Sequence, residues 1–168
     1  MNFVKRFVLS WVLPVSVSFL AISASALDRF PQSPDPALTP GAVCKAGKVY
    51  RYPEHVLYCS RSVGSALKQQ IMANYDARLG FVVTQMNRRE FKIDHYIPLC
   101  MGGSNDITNL WPQHQTVYQY TDRIEMEACN RMFEGRLKQA EAIELIKRAK
   151  ANPSQSQDIL KYVMINLM

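Results

Sequence analysis

The stretch Phe91-Lys-Ile-Asp-His-Tyr-Ile-Pro-Leu-Cys-Met-Gly-Gly-Ser-Asn-Asp-Ile-Thr-Asn-Leu-Trp-Pro-Gln-His114 decides the fold of this 168-residue chain. It opens with an alternating apolar run, which predicts a short strand that ends in an acid and an imidazole, Asp94 and His95. The glycine pair at 102–103 and the short polar residues after it predict a reversal of the chain. We therefore expect a strand, a loop and a second strand, followed by a long helix just after Pro112.

The Asp-His pair belongs to a longer series of residues. In chain order these are Asp94-His95-x-Ile97-Pro98-Leu99, Gly102-Gly103-Ser104-Asn105-Asp106 and Asn109-Leu110-Trp111-Pro112-Gln113. The series resembles the core of the HNH endonucleases, and it is most similar to small bacterial members of that family. An isolated Asp-His pair would carry almost no weight, whereas so many residue types in order make a specific match. Weaker similarity, including Tyr58-Cys59-Ser60-Arg61, extends over most of the chain beyond its N-terminus.

The resemblance implies an α+β fold, in which a ββα-metal (HNH) finger with flanking helices forms a single small domain stapled by disulfides. The nuclease domain would span residues 44–168, with the core finger at about 81–133. An extended, proline-rich lead-in at 27–43 would precede it, because four prolines and no periodicity occur there.

Residues 1–26 have the pattern of a signal peptide. Two basic residues precede an apolar run, and Ala24-Ser25-Ala26 fits the small residues required for cleavage. A retained membrane anchor is the alternative, but the run is short and is interrupted by serines and Pro14. We therefore expect an exported protein, periplasmic or extracellular, without stable membrane association after cleavage.

Removal of these residues would leave 142 of the 168, enough for one compact domain. The chain has 20 basic and 14 acidic residues, and the leader holds two of the basic ones. The remaining 18 against 14 give a net charge of +4. This charge suits a nucleic acid partner, although many secreted proteins are equally basic.

Four cysteines lie beyond the leader, and an even number in an exported protein predicts two disulfides. Three pairings exist. We favour Cys44 with Cys59 and Cys100 with Cys129, the second of which would tie the loop of the finger to its helix. Zinc binding is the alternative, but no Cys-x-x-Cys spacing supports it, and Cys100 could also be a small buried hydrophobic residue.

Phosphodiester hydrolysis requires a base that takes a proton from water and a cation that stabilises charge on the phosphoryl group. The imidazole of His95 suits the first task, and a hard divalent cation with Asp94 as an oxygen ligand suits the second. Adjacent strand residues point to opposite sides, so we expect the strand to bend at this pair. The resemblance implies the same division of roles, with Asn109 orienting the base and bracing the loop.

The sequence offers two candidates for the metal ligand from the helix. Many HNH proteins have a histidine near the position of Tyr118, so this chain departs from the family there. Four residues at helical spacing form one stripe: His114, Tyr118, Asp122 and Glu125. About 12 Å of helix separates His114 from Asp122, so the two cannot easily bind one ion together. The resemblance implies Asp122, which corresponds to an aspartate in the closer relatives and is an oxygen donor, with His114 as the substitute. We interpret Glu125 as a solvated helix charge. The expected metal is Mg²⁺, with Mn²⁺ and Zn²⁺ as alternatives.

Arg88, Arg89 and Lys92 come directly before the candidate site, where they could bind a nucleic acid backbone. A solvated hairpin tip is the alternative interpretation. Three classes of function follow: an exported, metal-dependent endonuclease of low sequence specificity that acts on DNA, with RNA as the alternative; a nucleic-acid-binding protein without turnover; and a disulfide-stapled structural or interaction domain of the envelope.

The flanking segments contain further signals. Alternation predicts two short strands at 49–52 and 56–59, and then a helix that Ser60 or Ser62 would cap and Gly80 would end. An extended segment should begin at Phe81. Beyond Gly135, which should end the long helix, an apolar stripe predicts a further helix, ended by the pair at 152–153, and a last short one from about 157. The residues of that stripe are Leu137, Ala140, Ile143 and Ile146 or Lys147.

Overall fold

The computed structural model describes residues 29–167, so the proposed signal peptide lies outside the described residues. The described chain is a small α+β domain with two antiparallel two-stranded sheets, four α-helices and two disulfides. The α+β class and the flanking helices are therefore confirmed. Within the described range, none of the helices is long and apolar enough to span a membrane.

The helices and strands follow one another in chain order. Strands β1 and β2 are Val49–Arg51 and Val56–Tyr58, and helix α1 is Ser65–Leu79. Strands β3 and β4 are Phe91–His95 and Leu110–His114, and helices α2, α3 and α4 are Gln115–Phe133, Gln139–Ala151 and Ser156–Lys161. A π-helical turn, Tyr162–Asn166, follows α4, and short 3₁₀ turns occupy Val83–Gln85, Arg88–Glu90, Leu99–Met101, Ile107–Asn109 and Pro153–Gln155.

Strands β3 and β4 form the expected hairpin, in which Asp94 is opposite Trp111 and Phe91 is opposite His114. The order strand, loop, strand, helix is confirmed, but α2 begins later than predicted. The strand continues through Pro112, which a two-stranded sheet tolerates because an edge strand leaves one side unpaired. The His114 side chain then caps α2 by accepting a hydrogen bond from the Thr116 amide.

The loop between β3 and β4 is held close to the chain that enters it. Gly102 has φ +82°, and a Cβ at Gly103 would lie 1.8 Å from the Ile97 carbonyl oxygen, so a side chain there would break the turn. Gly103 also pairs with Val43 in an isolated bridge. The predicted turn is thus formed, and it supports the end of the lead-in.

Two apolar clusters surround the hairpin. Helix α1 packs on one of them, which includes Phe91, Ile93 and Trp111, while α2, α3 and α4 form the other. The described part of the lead-in packs on the first cluster, because the Thr39 hydroxyl group bonds the Tyr75 hydroxyl group at 2.8 Å. The hairpin therefore lies between α1 and the C-terminal helices.

Both favoured disulfides are present. Cys44 is bonded to Cys59, and Cys100 to Cys129. Cys100 lies in the turn after β3 and Cys129 in α2, so the second bond ties the loop to the helix, as expected.

Two further local predictions, on either side of α1, were wrong. Gly64 is the N-cap residue of α1 and offers no side-chain cap, whereas Gly80 ends the helix in the left-handed conformation as expected. The segment after Gly80 forms 3₁₀ turns and not an extended strand, because the Asp76 carboxylate accepts hydrogen bonds from the amides of Val83 and Thr84 and bends the chain.

Helix α3 ends before Asn152, as predicted, but its buried face is rotated from the expected stripe. Ala140 is exposed and Ile143 is only partly buried. The residues that face the core are Ala142, Leu145, Ile146, Ala149 and Lys150. A lysine therefore enters the interior of the domain.

Candidate functional site

Asp94 and His95 point to opposite sides of β3. Asp94 lines a cleft of about 450 Å³, together with Arg61, Lys92, Cys100, Asp122, Glu125, Met126, Cys129 and Asn130. His95 does not line this cleft and is only 3% exposed. The expected bend at the pair is absent, because both residues are still paired with β4. The site thus has two sides that share one strand.

The His95 imidazole is held by Asn105 in the loop. Its Nε2 atom lies 3.1 Å from Oδ1 of Asn105. The orientation of this amide follows from two other bonds, since Oδ1 accepts from the Ser62 amide and Nδ2 donates to the Ser60 carbonyl oxygen. Because an amide oxygen can only accept, Nε2 carries the ring proton of neutral His95. The lone pair at Nδ1 is then the one that could take a proton.

Burial lowers the pKa of His95 below its ordinary value, and the hydrogen bond to Asn105 offsets part of this effect. The guanidinium group of Arg61 adds to the lowering. His95 is therefore neutral at pH 7, which a general base requires.

Two lysine ammonium groups surround the Asp94 carboxylate. Nζ of Lys150 lies 2.6 Å from Oδ2, and Nζ of Lys92 lies 3.6 Å from Oδ1. Burial by itself would raise the pKa of Asp94, but these cations outweigh it, so the pKa lies below its ordinary value. Asp94 is therefore ionised, and both of its oxygen atoms face cations.

Lys150 also contacts Glu125 of α2. Its Nζ atom lies 3.4 Å from Oε2, so Glu125 is part of a partly buried ion pair and not the solvated charge that we expected. Burial raises the pKa of Glu125, and Lys150 offsets part of that. For Lys150 itself, burial would lower the pKa, but the two carboxylates outweigh it and raise the pKa.

Asp122 and His114, the two predicted helix ligands, occupy different places. Asp122 lines the cleft and pairs with Lys92, so it shares a cation with Asp94. His114 ends β4 and stacks on Phe30 with 4.0 Å between ring centroids. It is opposite Phe91, three residues from Asp94, which corresponds to about 10 Å along the strand. The structure does not bring His114 to Asp94.

The side chains around Asp94 do not fit a divalent ion. Mg²⁺ requires oxygen ligands in a nearly octahedral arrangement, but the oxygen atoms of Asp94 already face Lys92 and Lys150. Across residues 29–167, no group of three or more His, Cys, Asp and Glu side chains is arranged to hold a metal ion. We therefore assign no chemical step to a metal at this site.

Asn109 braces the loop, and its side chain makes no hydrogen bond to the His95 ring. Its Oδ1 atom accepts a hydrogen bond from the Ile97 backbone amide at 2.9 Å. Its Nδ2 atom donates to the carbonyl oxygens of Ile97 and Ser104, each at 2.9 Å. The bracing expected of Asn109 is present. The expected contact with the base is made by Asn105 instead, because the Asn109 side chain is fully buried beneath the loop.

The predicted basic residues are divided between two places. Lys92 lines the cleft, whereas Arg88 and Arg89 lie on the exposed turn before β3, at the Phe91 end of the hairpin. Arg61 joins Lys92 in the cleft, where its guanidinium group donates to the Ile93 carbonyl oxygen at 3.0 Å. Arg61 and Lys92 are thus the cations nearest to the candidate site that could meet a phosphate.

Sequence reasoning did not assign Arg61, Asn105, Glu125 and Lys150 to the site. Arg61 and Asn105 lie within the motifs that resemble the HNH family, so those motifs held a signal for both. Nothing in the local sequence marks Lys150 as a site residue, because it is 56 residues from Asp94 and lies on the buried face of α3.

Comparisons with known proteins give no match to this chain among family models, curated protein sequences or solved structures.

Proposed function

We propose that this protein is an exported endonuclease that hydrolyses phosphodiester bonds of DNA, with RNA as the alternative substrate, at low sequence specificity. One observation carries the proposal: a neutral imidazole whose Nδ1 lone pair can accept a proton lies next to Arg61, at the end of the strand that also carries Asp94. The two disulfides are compatible with export into an oxidising compartment.

The roles of the residues follow from their positions. Nδ1 of His95 takes a proton from the attacking water, and the bond from Nε2 to Asn105 supports the imidazolium that forms. Arg61, whose charge also acts on His95, binds the attacked phosphate and neutralises charge that develops there, while Lys92 on the cleft side binds a neighbouring phosphate of the backbone. Asp94 does not touch the substrate in this scheme, because its oxygen atoms bind lysines.

A second candidate function is nucleic acid binding without turnover. The low exposure of His95, 3%, favours it, since a base must reach both water and substrate. In this case Arg61 and Lys92 would still bind phosphates, and affinity would fall with added salt.

The test is incubation of the oxidised protein with supercoiled plasmid, in magnesium and in chelator, beside His95→Ala. We expect nicking by the wild type and a loss of about 10²–10⁴-fold in the variant, the usual contribution of a general base. The matched control is His55→Asn, an exposed histidine at a turn with φ 57°. The dependence on magnesium tests the metal predicted from the sequence.

Unchanged nicking in His95→Ala would overturn the assignment of the base. If the wild type cuts neither DNA nor RNA but binds a labelled oligonucleotide in a salt-sensitive manner, the second candidate is correct. Absence of both activities would favour a structural role for the domain.

A further inference from the structure

Lys150 is the most buried charge of the candidate site. Its side chain has no exposed surface, yet its ammonium group faces three oxygen atoms. These are Oδ2 of Asp94 at 2.6 Å, the His95 carbonyl oxygen at 2.6 Å and Oε2 of Glu125 at 3.4 Å. An ammonium group has three protons to donate, so each proton has a partner.

Lys150 shares the buried face of its helix with apolar residues. The residue lies on the buried face of α3 together with Ile146 and Ala149, which belong to the core cluster of the C-terminal helices. A charged group in such surroundings is tolerated only when it is paired and hydrogen-bonded. The two carboxylates of Asp94 and Glu125 provide that pairing, and their own burial is compensated by the same lysine.

A divalent ion bound to Asp94 would meet this ammonium group at close range. Like charges in a partly desolvated site repel strongly, and the Lys150 side chain is enclosed by the core. The ion and the charged lysine therefore compete for the same oxygen atoms. The lysine has an advantage, because it is part of the chain and needs no binding from solution.

We propose that Lys150 is the resident cation of the Asp94–Glu125 carboxylate pair and that it excludes divalent metal ions from this pair. Lys150 is then a positioning residue: it joins α3 to the end of β3 and holds Asp94 and the His95 backbone in place. Its link to catalysis rests on the proposed nuclease function, whereas the exclusion of metal does not.

The test measures Mn²⁺ binding to the full-length oxidised protein by electron paramagnetic resonance, without substrate. We expect Lys150→Met to bind Mn²⁺ at least about tenfold more tightly than the wild type, because the variant keeps both carboxylates and loses the competing charge. The matched control is Lys147→Met on the same helix, since Lys147 bonds the Pro40 carbonyl oxygen and not Asp94. This control should bind Mn²⁺ as the wild type does.

The double variant Lys150→Met with Asp94→Asn should lose the gained affinity, which assigns the ion to Asp94. A second comparison does not depend on the folding of Lys150→Met. Asp94→Asn in the wild-type background should leave Mn²⁺ binding unchanged, because Lys150 already occupies that carboxylate.

A tenfold loss of Mn²⁺ affinity in Asp94→Asn alone would overturn the proposal, and so would equal affinities of Lys150→Met and the wild type. Failure of the nuclease function would be distinct. The plasmid would then stay intact in magnesium and in chelator, while the Mn²⁺ affinities followed the expected order.

Discussion

The two faces of strand β3 place their polar groups in different surroundings, one nearly neutral and one highly charged. On the face of Phe91 and Ile93, the imidazole of His95 contacts one neutral amide at the edge of an apolar cluster. On the face of Lys92, the carboxylate of Asp94 lies in a network of charges from α2 and α3. Neighbours in the sequence therefore have separate environments, because a strand directs successive side chains to opposite sides.

This difference has a physical consequence. A neutral imidazole with one hydrogen bond can change its protonation state without breaking the fold, whereas a buried carboxylate cannot lose its cations without cost. The His95 face is suited to proton transfer, and the Asp94 face is suited to holding the helices against the hairpin.

The largest effect should come from breaking the Asp94 face. Lys150→Met leaves Asp94 buried without its closest cation, so we expect the free energy of unfolding to fall by about 3–5 kcal/mol, the cost of removing one partner of a buried pair. Urea denaturation measures this. Adding Asp94→Leu should restore part of the loss, because it removes the buried carboxylate and leaves only the partly exposed Glu125 without Lys150. If the two losses of stability simply add, the pairing of Lys150 with Asp94 is contradicted.

A smaller effect should follow from breaking the His95 face. Asn105→Ala removes the bond to Nε2, and a hydrogen bond to a charged group contributes about 1.5–3 kcal/mol, so nicking should slow by roughly tenfold to a hundredfold. Since this bond opposes the lowering of the His95 pKa, the acidic limb of the pH–rate profile should move to lower pH. A slower rate with an unmoved limb would mean that Asn105 only holds the loop.

The two faces should also lose stability in different pH ranges. The pKa of His95 is lowered in the folded protein from about 6.5. Its contribution to the free energy of unfolding is therefore present above that pH and is lost as the pH falls through the pKa of the folded state. The pKa of Asp94 is lowered from about 3.9, so its contribution is lost only under more acidic conditions. Denaturation from pH 8 to pH 2 should show His95→Gln changing the upper part of the curve and Asp94→Asn the lower part. If the two variants gave identical curves of stability against pH, His95 and Asp94 would not act in separate pH ranges.

The smallest effect should come from Asp122→Ala. Asp122 pairs with Lys92 at the surface of the cleft, where its side chain is 49% exposed, so stability should change by less than about 1 kcal/mol. The same urea experiment tests this. A loss as large as that of Lys150→Met would show that Asp122 belongs to the buried network.

The hairpin was predictable because its signals are local. Alternation identified β3, the glycine pair identified the turn, and Gly80 and Asn152 marked the ends of α1 and α3. The start of α2 was missed because Pro112 resembles a helix start, while pairing with β3 keeps it in a strand. The 3₁₀ turns after α1 were missed because the contacts of the Asp76 side chain decide them.

The sequence by itself determined the strand, loop, strand and helix order, the even cysteine number and the adjacent Asp94 and His95. The tertiary structure alone decided which charges meet there. Lys150 reaches Asp94 across 56 residues, and the packing of α3 selects which of its faces is buried. No local pattern encodes such a contact, since an ion pair between distant residues depends on how helices pack around the strand.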